Sequence, residues 1–325
     1  MSKLATVYGG SGFVGRYIVR RLAKAGWRVR VAVRRPNEAI FLKPYGTVGQ
    51  VEPVFCNIRD DASVRSVMEG ADAVVNCVGT FDKRGRNNFD AVQDEGATRI
   101  AAIAAELGVE RMVHLSAIGA DVDGDTFYAR SKGRGEMGVL EHFPTATILR
   151  PSVVFGPEDA FFNRFAAMSR LGPVLPVIGA DAKFQPVYVD DVAQAAMAGI
   201  EGASGIFELG GPEVRTFRGL MNEMLAVIRR RRIVLNVPFF VAGIMGSSFD
   251  LLSLLTGGLV KGPVTKDQVI SLRSDTVVGP QAKGLADLGV EATAIEGVLE
   301  TYLWRFRPSG QYDAIKESAK NLRED

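Results

Sequence analysis

Short apolar runs alternate with amphipathic stretches over the first 150 residues of this 325-residue chain. The apolar runs are KLATVY, RVRVAVR, VEPVFCNI, ADAVVNCVG and RMVHLSAIG. The stretches with helical periodicity between them include VGRYIVRRLAKAGW, ASVRSVMEG and DAVQDEGATRIAAIAAELGV. Each pair of parallel strands requires a crossover connection, which is commonly a helix. The alternation therefore predicts a doubly wound α/β fold, with a parallel sheet and helices on both of its faces.

The pattern loosens after TATILRPSVVFGPED, where glycine and proline separate shorter apolar runs. We predict a first domain at residues 1–155 plus roughly 184–203. The remaining residues, 156–183 and 204–325, are predicted to form a smaller C-terminal α/β region. Its polar end, residues 308–325, has the composition of an extension that orders only on a partner.

A glycine-rich loop follows the first predicted strand. Gly9, Gly12 and Gly15 are spaced three residues apart and open the first predicted helix. In a dinucleotide-binding loop, the first glycine turns the chain, the second lets the backbone approach a pyrophosphate, and the third lets helix pack closely on strand. The phosphates then lie at a helix N-terminus. Since the loop stands between a strand and a helix, it predicts a nucleotide-binding domain of the Rossmann type.

The end of the second predicted strand indicates which nucleotide is bound. An NAD-binding domain usually carries an acidic residue about 20 residues past the glycines, where it binds the ribose 2′-hydroxyl. No acidic residue occurs between Gly15 and Glu38, and Arg34 and Arg35 stand at the strand end instead. Guanidinium groups suit the 2′-phosphate of NADP through charge-assisted hydrogen bonds. We therefore predict NADPH as the cofactor, against the alternative of a solvated basic strand end.

Charge and the rarer residue types exclude several classes of protein. The formal net charge of +2 is too small for nucleic acid to be the main partner. Cys56 and Cys77 lie in apolar runs and suit buried thiols better than a disulfide framework. The two histidines, His114 and His142, have no partner at ligand spacing, so we expect no metal site. The first strand begins at about Leu4, which leaves no room for a signal peptide, so we expect a chain that is not exported.

Candidate catalytic residues follow the fifth predicted strand. Tyr128 and Lys132 are four residues apart and would share one face of a helix. An ammonium group beside a phenol favours the phenolate, so we expect Lys132 to lower the pKa of Tyr128. Ser116, at the end of the strand in VHLSAIG, could help to orient a carbonyl group. The three residues are candidates for acid–base catalysis.

The stretch from Pro238 to Val260 is unusual for a soluble reductase, because its only charged residue is Asp250. Small and polar residues recur in it at three- and four-residue spacing, as a narrow seam on an apolar helix: Gly243, Gly246, Ser247, Asp250, Ser253 and Gly257. A full membrane span would place Asp250 near mid-bilayer at a cost of about 2.5 to 3.5 kcal/mol. An interfacial helix fits better, with Arg229 to Arg232 attracted to anionic lipid headgroups. The alternative is a helix buried in the chain's own second region.

These motifs carry a family resemblance. The glycine loop and the Tyr128–Lys132 pair resemble the short-chain dehydrogenase/reductase superfamily, in its extended or atypical branch. Five later segments, which take the match over nearly the whole chain, are similar to the NAD(P)H-binding accessory subunits of respiratory complex I in alphaproteobacteria and mitochondria. They are RPSVVFGPEDAFFNRFA, KFQPVYVDDVAQA, FELGGPE, VTKDQVISLRSDTVV and LGVEATAIEGVLETYLWRFRP.

The resemblance implies a set of cofactor contacts. It places the 2′-phosphate at Arg34 and Arg35, and it implies further positions at the phosphates, the adenine, the ribose and the nicotinamide. In that order, they are Gly9, Ser11, Gly12, Phe13, Val14 and Gly15; Asn57 and Ile58; Val78 and Gly79; and Ser116, Lys132 and Pro151.

The resemblance also implies a role. The nucleotide would be a fixed structural ligand in a non-catalytic subunit of NADH:ubiquinone oxidoreductase. That subunit would lie at the junction of the peripheral and membrane arms near the quinone site, on the cytoplasmic face of a bacterial inner membrane or the matrix face in mitochondria. Segment 229–262 would face the membrane or a partner subunit. The alternatives are a free-standing NADP-dependent reductase or epimerase that uses Tyr128 and Lys132, and a quinone-sensing or assembly factor of the same fold.

Overall fold

A computed structural model describes residues 3–82, 85–244, 247, 248, 265–308, 310 and 312. The chain divides into two compact units, and each is built from three segments of sequence. The first unit comprises residues 1–152, 189–210 and 278–292. The second comprises residues 153–188, 211–277 and 293–325.

The strands are numbered in chain order. They are β1 (Leu4–Tyr8), β2 (Arg28–Val33), β3 (Val51–Phe55), β4 (Ala73–Asn76), β5 (Arg111–Leu115), β6 (Thr147–Pro151), β7 (Val154–Phe155), β8 (Val174–Ile178), β9 (Lys183–Phe184), β10 (Val187–Tyr188), β11 (Gly205–Leu209), β12 (Arg215–Thr216) and β13 (Ile233–Val237).

The α-helices with defined ends are numbered in the same way. They are α1 (Phe13–Lys24), α2 (Asp61–Met68), α3 (Glu95–Glu106), α4 (Phe127–His142), α5 (Phe162–Met168), α6 (Val189–Glu201), α7 (Phe217–Val227), α8 (Lys266–Ser271) and α9 (Ile295–Leu303). Shorter helical turns are the 3₁₀ segments Pro36–Tyr45, Ala286–Leu288 and Trp304–Phe306, and the π-helical turn Asp90–Asp94. Residues 239–244 are also helical.

The first unit is a seven-stranded parallel sheet in the order β11-β6-β5-β4-β1-β2-β3. Every residue of β1 and β4 is buried, which explains why these strands appear in the sequence as unbroken apolar runs. Val7 of β1 lies opposite both Val31 of β2 and Val75 of β4. The strand order reverses at β1, where doubly wound sheets bind their ligands. The predicted Rossmann-type α/β fold is confirmed.

Helix faces and caps hold this sheet in place. The apolar side chains Ile18, Val19 and Leu22 of α1 are buried at helical spacing. Helix α4 begins at a cap in which the Thr126 side chain accepts a hydrogen bond from the backbone N–H of Ala129. The cap fixes where the helix starts and therefore where its first turn, with Tyr128, lies.

The second unit contains only short paired strands among the residues described. Strands β7 and β10 pair in parallel, as do β8 and β13, whereas β9 and β12 are antiparallel. Its core is aromatic, and the rings of Phe161 and Phe217 lie 5.5 Å apart between centroids. The hydroxyl of Tyr302 donates to the buried carboxylate of Asp159 at 2.5 Å, so α9 is tied to the loop before α5.

The division of the chain differs from the predicted one at several boundaries. Residues 204–210 and 278–292 lie in the first unit, although they were predicted in the C-terminal region, and residues 153–155 and 184–188 lie in the second unit, although they were predicted in the first domain. Strand β11 pairs with β6 along its whole length, from Gly205 opposite Thr147 to Leu209 opposite Pro151. The backbone N–H of Glu208 then donates to the carbonyl of Lys283, which attaches the later segment. These pairings join residues far apart in sequence, so no local pattern signals them.

Both cysteines lie one residue beyond a strand and not within it. Cys56 follows β3 and Cys77 follows β4, and both thiols are free. Burial raises the pKa of Cys56 to about 11 and that of Cys77 to about 12. Both groups are therefore protonated, unreactive thiols at neutral pH.

Two predicted features fall mostly outside the described residues. Of the stretch from 238 to 260, residues 239–244, 247 and 248 are helical, and the predicted helix beyond them lies outside the described residues. The same holds for the tail at 308–325, apart from 308, 310 and 312. Among the helices that the structure describes, none combines the length and the apolar character that crossing a bilayer requires.

Candidate functional site

The predicted cofactor residues lie along the carboxyl edge of the parallel sheet of the first unit. Gly9 follows β1, Arg34 follows β2 and Asn57 lies two residues beyond β3. Val78 comes shortly after β4, and Ser116 directly after β5. Pro151 is the last residue of β6. The fold thus brings residues from six strand ends to the edge at which doubly wound sheets bind ligands.

The glycine loop has a turn that only small residues allow. Gly9 has φ +74°, and its N–H donates to the carbonyl of Ala32 at 3.1 Å. The N–H of Gly12 closes the turn onto the carbonyl of Gly9 at 2.9 Å. A Cβ atom on Gly15 would lie 2.5 Å from that same carbonyl oxygen and 2.7 Å from the Cα of Gly10. Helix α1 can therefore approach the strand closely only because residue 15 has no side chain.

The N-terminus of α1 offers unpaired N–H groups to an anion. Gly12 caps the helix in an extended conformation, without a side-chain cap, and the first turn contains no acidic residue. The ladder of backbone hydrogen bonds starts at Arg16, whose N–H donates to the carbonyl of Gly12 at 3.1 Å. The N–H groups of Phe13, Val14 and Gly15 precede that ladder, which is the arrangement that binds phosphate. The loop thus fits the pyrophosphate of a dinucleotide.

Arg16 supports the loop, and the sequence analysis missed it. Its guanidinium donates to the carbonyls of Ser11 at 3.1 Å and Gly12 at 3.2 Å, and it lies 4.9 Å from the centroid of the Phe41 ring. These contacts hold a positive charge beside the phosphate loop. Its position could have been noticed in the sequence, because a basic residue directly after the last glycine of the loop lies in the first turn of the helix.

Arg34 and Arg35 are both exposed just beyond β2. Arg35 Nη1 donates to Glu38 Oε1 at 2.9 Å, whereas Arg34 forms no ion pair with any described residue. Since surface ion pairs contribute little free energy, Glu38 does not prevent Arg35 from binding a phosphate. The pair fits a 2′-phosphate at the end of the second strand.

The positions predicted for the adenine and the ribose are shaped by local hydrogen bonds. The Asn57 backbone N–H donates to the Ser63 hydroxyl at 3.0 Å, and Ile58 packs on the core. On the next strand, the N–H of Val78 donates to the side-chain oxygen of Asn76 at 3.0 Å. A Cβ on Gly79 would meet only the Gln93 amide, 4.0 Å away, so the chain leaves space there.

Tyr128 and Lys132 share helix α4, but their environment differs from the prediction. Lys132 Nζ donates to the carbonyl of Leu115 at 2.9 Å, and burial lowers the pKa of Lys132 to about 8. Tyr128 packs against the rings of Phe81 and Phe89, and burial raises the pKa of Tyr128 to about 12. The predicted lowering of the tyrosine pKa is therefore wrong, because loss of water around the phenol is the dominant effect.

Two buried polar atoms without partners among the described residues lie near the end of β5, on His114 and Ser116. Ser116 Oγ has no hydrogen-bond partner among the described residues, although its N–H donates to Leu149. His114, which the sequence analysis considered only as a metal ligand, lies opposite Asn76 in the sheet. The Asn76 amide nitrogen donates to His114 Nδ1 at 3.1 Å, so the imidazole proton is on Nε2, which is buried without a partner.

Burial and the nearby Lys132 ammonium lower the pKa of His114 to about 3, so the ring is neutral. Buried polar atoms of this kind normally find a partner, and these lie on the side predicted for the nicotinamide. The edge therefore fits a nicotinamide adenine dinucleotide. Among the described residues, no three His, Cys, Asp or Glu side chains cluster as a metal site would require.

Comparison with known proteins agrees with this geometry. The model of the NAD dependent epimerase/dehydratase family matches residues 5–210. The mitochondrial NADH dehydrogenase (ubiquinone) 1 alpha subcomplex subunit 9 of Arabidopsis thaliana is 34% identical over 316 residues, covering 94% of this chain and 79% of that protein. The mitochondrial 40 kDa subunit of NADH-ubiquinone oxidoreductase from Neurospora crassa is 32% identical over 99% of this chain and 84% of its own length.

A reductase also matches, over a shorter span. The ceramide reductase of Caulobacter vibrioides is 31% identical over 195 residues, which is 60% of each chain. Among solved structures, UDP-glucose 4-epimerase from Thermotoga maritima superimposes with a TM-score of 0.70, covering 93% of this chain and 98% of that one. At 18% sequence identity, that likeness establishes the fold alone.

Proposed function

This chain belongs to the NAD dependent epimerase/dehydratase family and, within it, to the family of the NADH:ubiquinone oxidoreductase alpha subcomplex subunit 9, and on that premise we propose that it is a non-catalytic, NADPH-binding accessory subunit of respiratory complex I. The observation that carries the proposal is the extent of the match. The complex I subunits align with 94% and 99% of this chain, whereas the reductase aligns with 60%. The similarity therefore includes the second unit, which a nucleotide-binding domain alone would not explain.

The state of Tyr128 supports a role without turnover. A general acid or base works best when its pKa lies near the working pH. Burial moves the pKa of Tyr128 to about 12, away from that range, and Phe81 covers the ring. Lys132 is bonded to the Leu115 carbonyl in the sheet. The support for a role without turnover therefore comes from Tyr128, since the pKa of Lys132, about 8, lies near the working pH.

NADPH is the proposed nucleotide because the chain offers Arg34 and Arg35, with Arg16 close to the phosphate loop, and no acidic residue at the ribose position. A bound nicotinamide nucleotide can supply a hydride, but in this role it stays in place. Binding to the folded state alone stabilises that state, by about 2.7 kcal/mol at a free concentration one hundred times the Kd. The nucleotide would therefore stabilise the subunit and its assembly.

We place the subunit at the junction of the peripheral and membrane arms, near the quinone site, as a peripheral protein on the cytoplasmic or matrix face. Arg229 to Arg232 supply the charge for anionic lipid headgroups. Arg230 Nε donates to the backbone carbonyl of Phe306, and Arg232 donates to the carbonyls of Ser169 and Arg231, so each guanidinium keeps further N–H groups. Burial and the charges of Arg232 and Arg170 lower the pKa of Arg230, as expected for cations held close together. Such a cluster favours an anionic surface.

Exposed apolar side chains adjoin these arginines. The outer face of β13 presents Ile233 and Leu235, and the helical residues after it present Phe240 and Ile244. An apolar face bordered by guanidinium groups suits the boundary between headgroups and acyl chains.

A second candidate is a free-standing NADP-dependent reductase or epimerase. The observation in its favour is that Ser116, Tyr128 and Lys132 are all present in the same unit, as in the prediction, and that a ceramide reductase is among the relatives. In that role, Tyr128 would exchange a proton with a carbonyl or sugar-nucleotide substrate.

Native purification from membranes distinguishes the two. We expect the tagged chain to bring down the subunits of NADH:ubiquinone oxidoreductase together with one equivalent of NADP(H). Tyr128→Phe should leave the NADH oxidation rate of the assembled complex within twofold of wild type. A chain that purifies alone, and whose NADPH-dependent carbonyl reduction disappears in Tyr128→Phe, would establish the reductase and overturn the proposal.

A further inference from the structure

An open cleft lies on the first unit, between the loop that follows β5 and helix α4. Its volume is about 390 Å³, and its apolar lining comes from Ala120, Val122, Met137 and Leu140. Met137 is 58% exposed and Val122 is 39% exposed. Apolar side chains left this accessible at the rim of a depression are typical of a surface that receives a partner.

The loop that forms one wall is held in a single shape. The N–H of Asp121 donates to the carbonyl of Ala129 at 3.2 Å, and Arg130 Nη1 donates to the carbonyl of Gly124 at 2.6 Å. The loop also packs closely against α4. A Cβ on Gly133 would lie 2.5 Å from the Asp121 carbonyl carbon, so this approach requires glycine at position 133. A preformed wall costs little conformational entropy when a partner binds.

The floor of the cleft contains an ion pair between a buried carboxylate, Glu136, and the partly exposed guanidinium of Arg150. Arg150 Nη2 lies 2.6 Å from Glu136 Oε2, and the Arg150 guanidinium also lies 3.7 Å from Glu208. The Arg150 guanidinium is therefore occupied by carboxylates of the chain itself and is not free to bind an anionic ligand.

The rim, in contrast, is acidic and uncompensated. Asp121 lines the cleft, and Asp123 and Asp125 follow it in the same loop; all three are exposed, and none of them forms an ion pair within the described part of the chain. The only cation in the loop region, Arg130, is bonded to Gly124 and stacked 4.8 Å from the Phe127 ring.

Several acidic residues on the neighbouring helices, unlike those of the loop, form ion pairs within the chain. Asp94 lies 2.6 Å from Arg134, which also pairs with Asp90. Similar ion pairs join Asp61 to Arg99 and Glu106 to Arg65. The carboxylates of these four residues are thus already paired with cations of the chain, whereas the three of the loop are not.

We propose that this cleft docks a basic segment of another complex I subunit, which seats one large apolar side chain among Val122, Met137 and Leu140 and places lysine or arginine residues against Asp121, Asp123 and Asp125. The assignment of the partner to complex I rests on the proposed function. A buried apolar anchor supplies most of the affinity at such an interface, and the opposite charges supply specificity and rate of association. An anionic membrane would be repelled by the same three carboxylates.

The test uses the assembled complex. Met137→Lys places a cation in the cleft, and the double variant Asp123→Lys/Asp125→Lys reverses the rim charge. The matched control, Glu110→Lys/Glu201→Lys, makes the same change of charge at exposed positions beyond the rim. Complex I is purified through a different subunit, and retention of this chain is quantified by mass spectrometry.

We expect the amount of each cleft variant retained in complex I to fall at least tenfold, and the amount of the control to stay within twofold of wild type. Each variant chain should still contain one equivalent of NADP(H), which shows that the first unit is folded. Retention of the cleft variants at the wild-type level would overturn the docking site alone. Absence of the wild-type chain from complex I would overturn the proposed function and the docking partner together.

A zero-length cross-link identifies the partner directly. A carbodiimide joins carboxylates to lysines, and we expect it to couple Asp121, Asp123 or Asp125 to a lysine of another subunit. Asp→Asn variants at the three positions should lose that cross-link. Coupling only to a second copy of this chain, or no coupling from these positions, would contradict the proposal.

Discussion

The ring of Phe81 lies nearly parallel to the ring of Tyr128, with 12° between the planes and 5.6 Å between the centroids. Phe89 contacts the same ring edge to face. Phe81 is itself 72% exposed, so it acts as a cover between Tyr128 and solvent. A phenol that a reductase would present to its substrate is here packed against two aromatic side chains.

Removing this cover should change the reactivity of Tyr128. In Phe81→Ala, water reaches the phenol, so we expect the pKa of Tyr128 to fall from about 12 toward its ordinary value of 10.0. Each unit of that fall raises the phenolate fraction at pH 9 about tenfold. The rate of nitration of Tyr128 by tetranitromethane, followed by peptide mass spectrometry, measures it. Phe55→Ala, which removes another exposed ring, is the control. An unchanged rate in Phe81→Ala would show that the ring does not shield the phenol.

Two glycine substitutions distinguish the effect of a clash in the cofactor loop from the effect of backbone strain elsewhere. Gly15→Ala should abolish NADPH binding, because its Cβ would lie 2.5 Å from the Gly9 carbonyl. Gly26→Ala is a matched control, since Gly26 has φ +82° and nothing lies within 4 Å of its Cβ position. We expect Gly26→Ala to cost about 1 kcal/mol of stability and to retain binding. Calorimetric titration with NADPH measures the affinity of each variant, and thermal denaturation measures its stability. Equal affinities in the two variants would contradict the role given to the loop.

Arg34 and Arg35 predict that the protein binds NADPH more tightly than NADH. Loss of one charge-assisted hydrogen bond costs about 1.5 to 3 kcal/mol, which is tenfold or more in Kd. Arg34→Gln/Arg35→Gln should therefore weaken NADPH binding at least tenfold and leave the Kd for NADH unchanged. Glu38→Gln, which removes the partner of Arg35, should change either Kd by less than threefold. Wild-type protein that binds the two nucleotides equally would refute the assignment.

His114 should make the protein sensitive to acid. Its folded pKa is lowered from 6.5 to about 3, so between these values the unfolded chain binds more protons than the folded one. The free energy of unfolding must then fall as the pH is lowered, by up to about 1.4 kcal/mol per pH unit from this residue. His114→Gln removes the proton and keeps an acceptor for Asn76, so its stability should fall less steeply with acid.

The control for that prediction is His142→Gln, because His142 is exposed at the end of α4. It should retain the wild-type slope. Urea denaturation at several pH values between 6.5 and 4 gives the three slopes. If His114→Gln and wild type lose stability in parallel, the buried imidazole is not the acid-sensitive group.

The sequence was sufficient for features set by neighbouring residues. Strands β1 and β4 are buried on both faces, so they appear as unbroken apolar runs, and the glycine loop between β1 and α1 is a local structure. The four-residue spacing of Tyr128 and Lys132 also predicted that they share one face of a helix, and both lie in α4. Assembly of the strand ends at one edge then follows from parallel topology.

Features that depend on distant contacts were beyond local patterns. The pKa of Tyr128 is set by Phe81 and Phe89, about 40 residues away, whose approach no periodicity reveals. The neutral state of His114 depends on the register that places it opposite Asn76. Strand β11 joins the sheet by pairing with β6 across about 60 residues. In each case the deciding neighbour is fixed only when the sheet has formed.

The first unit is built from three separate segments of the chain, so its sheet is completed late in synthesis. Strands β1 to β6 leave the ribosome first, and β11, which completes the sheet, follows only after residues 153–204 have been made. Until then β6 is an unpaired edge strand, which is prone to pair wrongly with another chain. At about 5 to 20 residues per second, that interval lasts several seconds. The nascent chain should therefore need chaperone protection of the β6 edge during translation, for a time that the rate of synthesis sets.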